Sequence, residues 1–242
     1  MGVRRIGEIT GLLAAALLLA SLLLPAPARS EEEAGWEKLY VKEGISGFRR
    51  ITPGSNFAAW RGHGVVKGNF YRVVAVYMDS ERSCDWLADC VDNHFVEKKD
   101  LEHQITYNQT HLPWPFQNRD LVFSDTYVFD LEKKEVTDIM RSVVHPKEPE
   151  RDGVVRAKFL LSTFKARVID AENTWVEVEL QMDTGGWLPA WIVNLTSKNW
   201  PFDTFVRLRQ AVATAGGYEP LIEQIREAHP GYDEAPSKPD PQ

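Results

Sequence analysis

The amino-acid sequence predicts an α+β domain with a long antiparallel meander followed by a long C-terminal helix. Segments with a hydrophobic period of two follow one another with short turns from residue 101 to residue 183, which is typical of an antiparallel meander. A helical period precedes this meander, and an apolar helical stripe follows it over Pro201 to Ala215. A sheet of this size cannot cover its own concave face, so we expect the last helix to close it.

The first 28 residues have the pattern of a secretory signal peptide. Arg4 and Arg5 precede an apolar run from Gly11 to Leu24, and Ala26-Pro27-Ala28 supplies a small-x-small cleavage pattern. The apolar run is shorter than the ~20 residues that a membrane-spanning helix needs. We therefore expect cleavage near Ala28 and a periplasmic or secreted protein, with an uncleaved membrane anchor as the alternative.

Composition and charge restrict the class of partner. The chain has 242 residues, is 43% hydrophobic and carries a net charge of -7. It lacks the concentrated positive charge that nucleic acid binding requires, and the same charge argues against tight docking on anionic lipid. We expect a monomer that contacts membranes transiently. The predicted parts are a signal peptide (1–28), an acidic leader (29–35), a folded domain (36–229) and a disordered tail (230–242).

Two strands and two helices are predicted ahead of the meander. The strands cover residues 44–51 and 59–66. Asn69 is the predicted N-cap of the first helix, and a second short helix covers residues 81–87. The apolar residues after the cap share one helical face: Phe70, Val73, Val74 and Tyr77.

The two cysteines, Cys84 and Cys90, leave two interpretations open. In an unbroken helix, a spacing of six residues points the two side chains to different faces, too far apart for a bridge. If the helix ends between them, near Leu87, a disulfide becomes feasible, and an exported compartment would permit it. The alternative is two buried thiols. We expect no metal site, because no Cys or His pair has zinc spacing and the six histidines form no cluster with acids.

The hydrophobic period and the turn residues predict the strands of the meander and the segments after it. Residues 145–152 are polar and interrupted by prolines, which predicts a loop between two strands. Pro201 fits the first turn of the C-terminal helix, Gly216-Gly217 ends it, and residues 220–229 form a further short helix. The predicted strands cover residues 102–110, 120–130, 135–144, 154–168 and 173–183. The last strand alternates plainly, with four apolar residues on one face: Val176, Val178, Leu180 and Met182.

One acidic residue interrupts the apolar face of the strand over residues 120–130. Asp125 shares that face with Leu121, Phe123, Tyr127 and Phe129. A buried carboxylate costs several kcal/mol, in order of magnitude, unless it is paired or hydrogen-bonded. Two interpretations follow: Asp125 holds a ligand hydroxyl or an ordered water inside a cavity, or a neighbouring strand satisfies it.

Three further stretches of sequence follow one another in a characteristic order along the chain. The first runs from Asp183 through Gly185-Gly186 and Trp187-Leu188-Pro189 into the apolar segment before Leu208-Arg209. The other two lie upstream: Pro113-Trp114-Pro115 with Arg119-Asp120, and Gly153-Val154-Val155-Arg156-Ala157. Across Trp36 to Ala215, this order resembles the START (StAR-related lipid-transfer) family.

The resemblance implies the helix-grip fold, in which the curved sheet and the C-terminal helix enclose a hydrophobic cavity that binds lipid. It also places residues 145–153 at the position of the family's mobile loop. Sterol-carrying members have an acid and an arginine inside the cavity; here the corresponding positions fall at Asn108 and Asp125, so cholesterol specificity does not carry over. The expected lipid-binding residues are Asn108, Leu121, Phe123, Asp125, Tyr127, Val178, Leu180, Phe202, Phe205 and Val206.

The arginine, aspartate and tryptophan residues of these three segments also have expected roles. Arg119-Asp120 and Arg156 are expected to be structural, because an arginine at the start of a strand can hold loop carbonyls or a carboxylate. Trp114, Trp187 and Trp191 fit packing, or a membrane interface during lipid exchange.

We predict a non-catalytic lipid carrier, exported by a bacterium, that binds a sterol, hopanoid, phospholipid or fatty acid and needs no cofactor. The chain contains neither a Gly-x-Ser-x-Gly motif nor a phosphate-binding glycine loop, and no catalytic residue is assigned. One alternative is a helix-grip enzyme in which Asp125, with Tyr127 or Asn108, acts as acid and base. Another is a sensor or scaffold that responds to bound lipid.

Overall fold

The computed structural model describes residues 35–214 and 216–235, so the predicted signal peptide lies outside the described residues. The strands are β1 (Glu37–Lys42), β2 (Ile45–Arg50), β3 (Ala59–Lys67), β4 (Cys90–Lys98), β5 (His103–Thr110), β6 (Asn118–Asp130), β7 (Glu135–Ser142), β8 (Val154–Arg156), β9 (Lys158–Val168) and β10 (Asn173–Asp183). The α-helices are α1 (Phe70–Met78), α2 (Ala190–Thr196), α3 (Trp200–Thr214) and α4 (Glu219–Ala228). Short 3-10 helices cover Ser80–Asp85 and Ser197–Asn199.

The strands form one antiparallel sheet in the order β1-β2-β3-β10-β9-β7-β6-β5-β4, and the short β8 adds to β6 in parallel. The pairing of β3 with β10 joins the N-terminal strands to the last strand of the meander. α1 and α3 lie against the sheet, α1 on β9 and β10 and α3 on β2 and β3. The predicted fold class, a curved antiparallel sheet with a long C-terminal helix, is confirmed.

α1 begins as predicted and supplies the centre of the core. The Asn69 side chain accepts a hydrogen bond from the backbone N–H of Arg72 at 2.9 Å, which caps the helix. Its apolar face, with Val73 and Val74 fully buried, packs with Phe164 of β9. This packing fixes the concave side of the sheet.

α3 is held against β2 and β3 by close packing and by one arginine. Its buried stripe consists of Pro201, Phe205, Leu208 and Val212. Arg209 donates from Nε and Nη2 to the carbonyl oxygen of Val65, at 2.9 and 2.7 Å. The expectation that Val206 faces the sheet is wrong: Val206 is 37% exposed, because it lies one residue, about 100° of helix rotation, beyond Phe205.

The structure contains two strands that the sequence did not predict. β1 and β4 are the edge strands of the sheet, and each contains a register shift, between Lys38 and Tyr40 in β1 and between Phe95 and Glu97 in β4. Bulges interrupt the period of two, and edge strands carry polar residues on both faces, so neither strand shows clear alternation.

The predicted strand over residues 154–168 is two strands, and the second predicted helix is shorter. The backbone N–H of Ala157 bonds to the carbonyl oxygen of Asp120 at 2.8 Å, and at this point the chain leaves β6 and pairs with β7 and β10. The 3-10 helix ends at Asp85, which leaves Cys84 and Cys90 with Cα atoms 5.1 Å apart and joined by a disulfide. Both described cysteines are therefore paired, one of the two arrangements that the sequence allowed.

The packed chain extends beyond the predicted domain end at residue 229. Tyr232 is 2% exposed, its ring stacks on Phe70 at 4.5 Å, and its backbone N–H bonds to the Tyr71 hydroxyl at 3.1 Å. The prediction of disorder is therefore wrong for residues 230–235, because one aromatic ring in a Pro- and Asp-rich stretch is enough to pack it. Residues 236–242 lie outside the described residues.

In the described part of the chain, no helix combines the length and the apolar character needed to cross a bilayer.

Gly62→Val should weaken the docking of α3. A Cβ atom at Gly62 would lie 2.6 Å from Cβ of Pro201, so the helix would have to move away from β3. We expect the free energy of unfolding in urea to fall by about 1–3 kcal/mol. Gly216→Ala is the control, because a Cβ atom there meets nothing within 4 Å, and it should change stability by less than about 0.5 kcal/mol. Equal stability of both variants would contradict the packing described for α3.

Candidate functional site

The concave face of the sheet carries two groups of apolar side chains, which meet at Met140. One group packs around α1 and α3 and forms the main core. The other comes from strands and the β8–β9 junction: Leu121, Phe123 and Ala157, with the half-buried Met140, Phe159 and Met182. The half-buried members of this second group keep accessible surface on the concave face. We call the region around the second group the chamber.

The segment between β10 and α3 crosses one end of the chamber, and we call residues 184–196 the mouth segment. At its start, Arg119 of β6 donates from Nε to the carbonyl oxygen of Thr184 at 2.8 Å. Near its end, the Asn194 side chain accepts from the backbone N–H of Ala58 at 2.9 Å. The mouth segment is therefore tied to β6 on one side and to the start of β3 on the other.

A cavity of about 500 Å³ opens beside the mouth segment, between α2 and the edge of the sheet. Trp60 and Leu39 line it from the strands, and Trp191 and Leu195 line it from α2. Apolar side chains thus border the gap between α2 and the sheet.

Residues 143–153, which we call the gate loop, are fixed at their base by a buried ion pair. Arg156 donates to both carboxylate oxygens of Asp120, at 2.7 and 3.0 Å. The same guanidinium contacts the carbonyl oxygens of Glu148 and Pro149, at 3.2 and 3.3 Å. With the Arg119 contact to the mouth segment, this confirms the structural roles predicted for Arg119-Asp120 and Arg156.

The gate loop is also fastened to the outer face of β4 and β5. His94 hydrogen-bonds to Glu148 at 3.2 Å and to Asp92 at 3.1 Å, while Arg151 pairs with Glu148 and contacts the Tyr107 hydroxyl at 3.3 Å. Burial lowers the pKa of His94, but the hydrogen bonds to the two carboxylates outweigh it and the net shift is upward. On this face the loop is therefore held mainly by hydrogen bonds and ion pairs.

Two buried carboxyl groups lie together on β6 and β7. Asp125 is 5% exposed and accepts a hydrogen bond from the Thr106 hydroxyl at 2.7 Å. Asp138 is fully buried and accepts from the Tyr77 hydroxyl at 2.8 Å and from the backbone N–H of Thr126 at 3.2 Å. In the strand register Asp138 is the diagonal neighbour of Asp125, on the same face of the sheet. We call them the carboxyl pair.

The carboxyl pair retains protons at neutral pH. Burial raises the pKa of Asp125 to about 7, against the hydrogen bonds from Thr106 and Asp138, which lower it. Burial, followed by the charge of Asp125, raises the pKa of Asp138 well above its usual range.

A chain of polar side chains continues from the carboxyl pair towards β4. Thr106 lies 3.4 Å from the Ser80 hydroxyl, and Asn93 donates to the Ser80 carbonyl oxygen at 2.5 Å. Asn108 donates to the Asn93 side chain at 3.0 Å. The predicted pairing of Asn108 with Asp125 is therefore wrong: Asn108 lies opposite Leu121, and the partner of Asp125 is Asp138.

The structure separates the predicted lipid-binding residues into three groups. Leu121 and Phe123 belong to the second apolar group, and Asp125, Leu180 and Asn108 lie on the same face of the sheet. Tyr127, Val178 and Phe205 are buried in the main core, and Phe202 is half-buried against it. Val206 is exposed, as described above.

Sequence reasoning missed Asp138 and Tyr77 as site residues. Asp138 alternates with Val136 and Met140 on one face of β7, so it interrupts an apolar face in the same way as Asp125 does. That signal was present in the sequence. Tyr77 was assigned to the helix core, and only the fold shows that its hydroxyl reaches Asp138.

One histidine does lie among acids, contrary to the sequence-based expectation. Asp100, Glu102 and His103 come close at the exposed turn between β4 and β5. The Asp100 carboxylate already accepts from the backbone N–H groups of Glu102 and His103 and contacts the His103 ring. These contacts are those of a side-chain-stabilised turn.

The curved sheet, the covering α3 and the chamber define a helix-grip protein. The START domain pattern matches residues 26–216, and the chain belongs to the START domain family. The phosphatidylcholine transfer protein of Bos taurus is 28% identical over 169 residues, which cover 69% of this chain and 78% of that protein. The solved structure of the STAR-related lipid transfer protein of Xanthomonas axonopodis matches this one with a TM-score of 0.66 at 29% sequence identity. The match covers 74% of this chain and 99% of that chain. Human STARD10, with a TM-score of 0.70 at 18% identity and 85% coverage of both chains, shares the fold.

Asp125→Asn should stabilise the protein at alkaline pH. A carboxyl group whose pKa is raised in the folded state weakens folding progressively as the pH rises from about 4 through 7. The variant removes this penalty, so its free energy of unfolding should exceed that of the wild type by on the order of 1 kcal/mol at pH 8, with little difference at pH 4. Urea titrations at both pH values measure this. Asp152→Asn, in the exposed part of the gate loop, should give no such pH-dependent gain, and a destabilised Asp125→Asn at pH 8 would contradict the assignment.

Proposed function

We propose that this protein is a lipid carrier that binds one hydrophobic molecule in the chamber and exchanges it with membranes. The observation that supports this most is the set of half-buried apolar side chains on a covered concave face, Met140, Phe159 and Met182, next to the otherwise buried Phe123. Membership of the START domain family supports lipid binding in general, and the relative from Bos taurus is named for the transfer of phosphatidylcholine. A sterol, hopanoid, phospholipid or fatty acid each combines an apolar body with a polar end.

Lipid exchange requires a low free-energy cost of opening rather than strong binding. Each methylene group moved from water into an apolar chamber gains about 0.8 kcal/mol, and it gains nearly the same amount in a bilayer. A carrier therefore needs only to match the membrane, and the opening cost sets the exchange rate. The gate loop and the mouth segment are held largely by the side-chain and carbonyl contacts described above, which suits them to opening.

The surface around the mouth segment suits transient membrane contact. Trp187 and Trp191 are 64% and 67% exposed, and Trp114 is 92% exposed in the loop whose Phe116 ring lies 5.1 Å from Trp187. Indole rings favour the interface between lipid and water. Since the whole chain is acidic, contact through these rings with an uncharged lipid surface would be weak and reversible.

We also propose that the protein is exported, because residues 1–28 have the pattern of a signal peptide. The disulfide between Cys84 and Cys90 supports an oxidising compartment. Fractionation of a bacterial host that expresses the full chain should recover a protein shortened near Ala28 outside the cytoplasm. Full-length protein in the cytoplasm would contradict export without affecting lipid binding.

A second candidate function, an enzyme that acts on a bound lipid, is favoured by one observation. The two neighbouring carboxyl groups have raised pKa values and one of them contacts the Tyr77 hydroxyl, which places groups that can act as acid and base side by side. Conversion of a bound lipid to product, lost in Asp125→Asn with binding retained, would favour the enzyme over the carrier. A sensor or scaffold would instead capture a protein partner only when lipid is bound.

The purified protein should carry lipid between vesicles. We expect native mass spectrometry to show one bound lipid per chain, and a labelled lipid to move from donor to acceptor vesicles at a rate proportional to protein concentration. The Gly62→Val variant, in which α3 is displaced, should transfer more slowly than Gly216→Ala. Apoprotein alone from several hosts, with no labelled lipid taken up, would overturn the proposal.

Replacing Trp187 and Trp191 together by alanine should slow transfer by about fivefold or more from uncharged phosphatidylcholine vesicles, because each indole favours the interface. The amount of lipid bound at equilibrium should stay the same, since neither ring belongs to the chamber. Val128→Ala is the matched control: Val128 is exposed on the outer face of β6, away from the mouth segment. An equal loss of rate in the control variant would argue against membrane contact at this surface.

A further inference from the structure

The carboxyl pair lies at the polar end of the chamber, which makes it the group that a bound molecule's polar end would meet. On β6, the concave face runs from Leu121 and Phe123, which border the chamber, to Asp125. Met140, opposite Asp125 in the strand register, belongs to the same apolar group. The apolar wall of the chamber therefore ends at the two carboxyl groups.

The hydrogen bonds within the pair leave a place for a further donor. Three donors reach the four carboxyl oxygens: the hydroxyl groups of Thr106 and Tyr77 and the backbone N–H of Thr126. A carboxylate oxygen accepts two hydrogen bonds, so these contacts satisfy the pair internally without exhausting its acceptors. Asp125, the more exposed member, presents the remaining capacity.

No cation stands near the pair to hold an anionic group. On the concave face of β5, β6, β7, β9 and β10, Arg119 is the one basic residue among those described. Arg119 lies six residues from Asp125, roughly 20 Å along the strand. Its guanidinium donates to the carbonyl oxygens of Thr184, Gln117 and Gly185 instead.

We propose that the carboxyl pair is the recognition site for the polar end of the cargo and that it accepts an uncharged hydroxyl group, so the cargo is a neutral hydroxyl-bearing lipid. The inference rests on the proposed carrier function and specifies its ligand class. A phosphate or carboxylate at this place would meet buried acids without a counter-ion. A hydroxyl group can donate to a carboxylate and accept from a carboxylic acid, so it suits the pair in both protonation states.

An ammonium group fits less well than a hydroxyl group. It requires a full carboxylate beside it, whereas the pKa of Asp125, about 7, leaves a substantial fraction of the pair uncharged at neutral pH. Asp125 and Asp138 therefore disfavour both an anionic and a cationic polar end, which leaves the neutral hydroxyl group.

Four probes with the same 16-carbon chain and different polar ends test this inference: hexadecanol, hexadecylamine, palmitate and hexadecyl phosphate. Each is delivered from cyclodextrin at pH 7.4 and displaces one fluorescent fatty alcohol from the full-length chain. We expect hexadecanol to bind at least about tenfold more tightly than palmitate and hexadecyl phosphate and more tightly than hexadecylamine. In Asp125→Asn, the preference for hexadecanol over hexadecyl phosphate should fall by about tenfold or more. Asp170→Asn, which removes an exposed carboxylate outside the chamber, should keep the wild-type order.

The outcomes separate the inference from the carrier function. Binding of all four probes with equal affinity, or an unchanged preference in Asp125→Asn, overturns the inference and leaves the carrier intact. Tighter binding of hexadecylamine than of hexadecanol would indicate a cationic lipid as the cargo and would also overturn the inference. Failure of every probe and of the fluorescent alcohol to bind overturns the carrier function itself. A thermal unfolding curve of each variant confirms that it is folded before binding is compared.

Discussion

The fold depends on one constraint: the concave face of a ten-stranded antiparallel sheet must be covered, and the helices cover only part of it. α1 packs on β9 and β10, and α3 packs on β2 and β3 through Pro201 and Phe205. The remaining concave surface, on β6, β7, β9 and β10, faces no helix of comparable length, and its apolar side chains stay half-buried. The mouth segment crosses one end of this surface and is held by hydrogen bonds, whereas the gate loop is fastened to the outer face of β4 and β5.

The carboxyl pair is costly for stability in the same place where it is useful for binding. Burial raises the pKa of both acids and weakens folding at neutral pH, and hydrophobic residues of similar size would pack there without that cost. Sites that conflict with local stability in this way are commonly functional. The pair therefore points to a ligand, and the lack of a nearby cation points to the kind of ligand.

Much of the fold could be predicted from the sequence, and the exceptions have physical causes. The Asn69 cap, the strand with Val176 to Met182 and the helix beginning near Pro201 all carry strong periodic or capping signals. β1 and β4 were missed because bulges at the sheet edges break the alternation. The site was found only in part: Asp125 interrupts an apolar face in the sequence, but its pairing with Asp138 depends on the register between β6 and β7, which no local pattern specifies.

The most direct test is a crystal structure of the protein saturated with a fatty alcohol that carries bromine at the end of its chain. We predict an anomalous bromine peak among Phe123, Phe159 and Met182, with the hydroxyl group within hydrogen-bonding distance of Asp125. Bromine found solely on the outer surface, with the space between β6 and β9 filled by the protein's own side chains, would contradict the account.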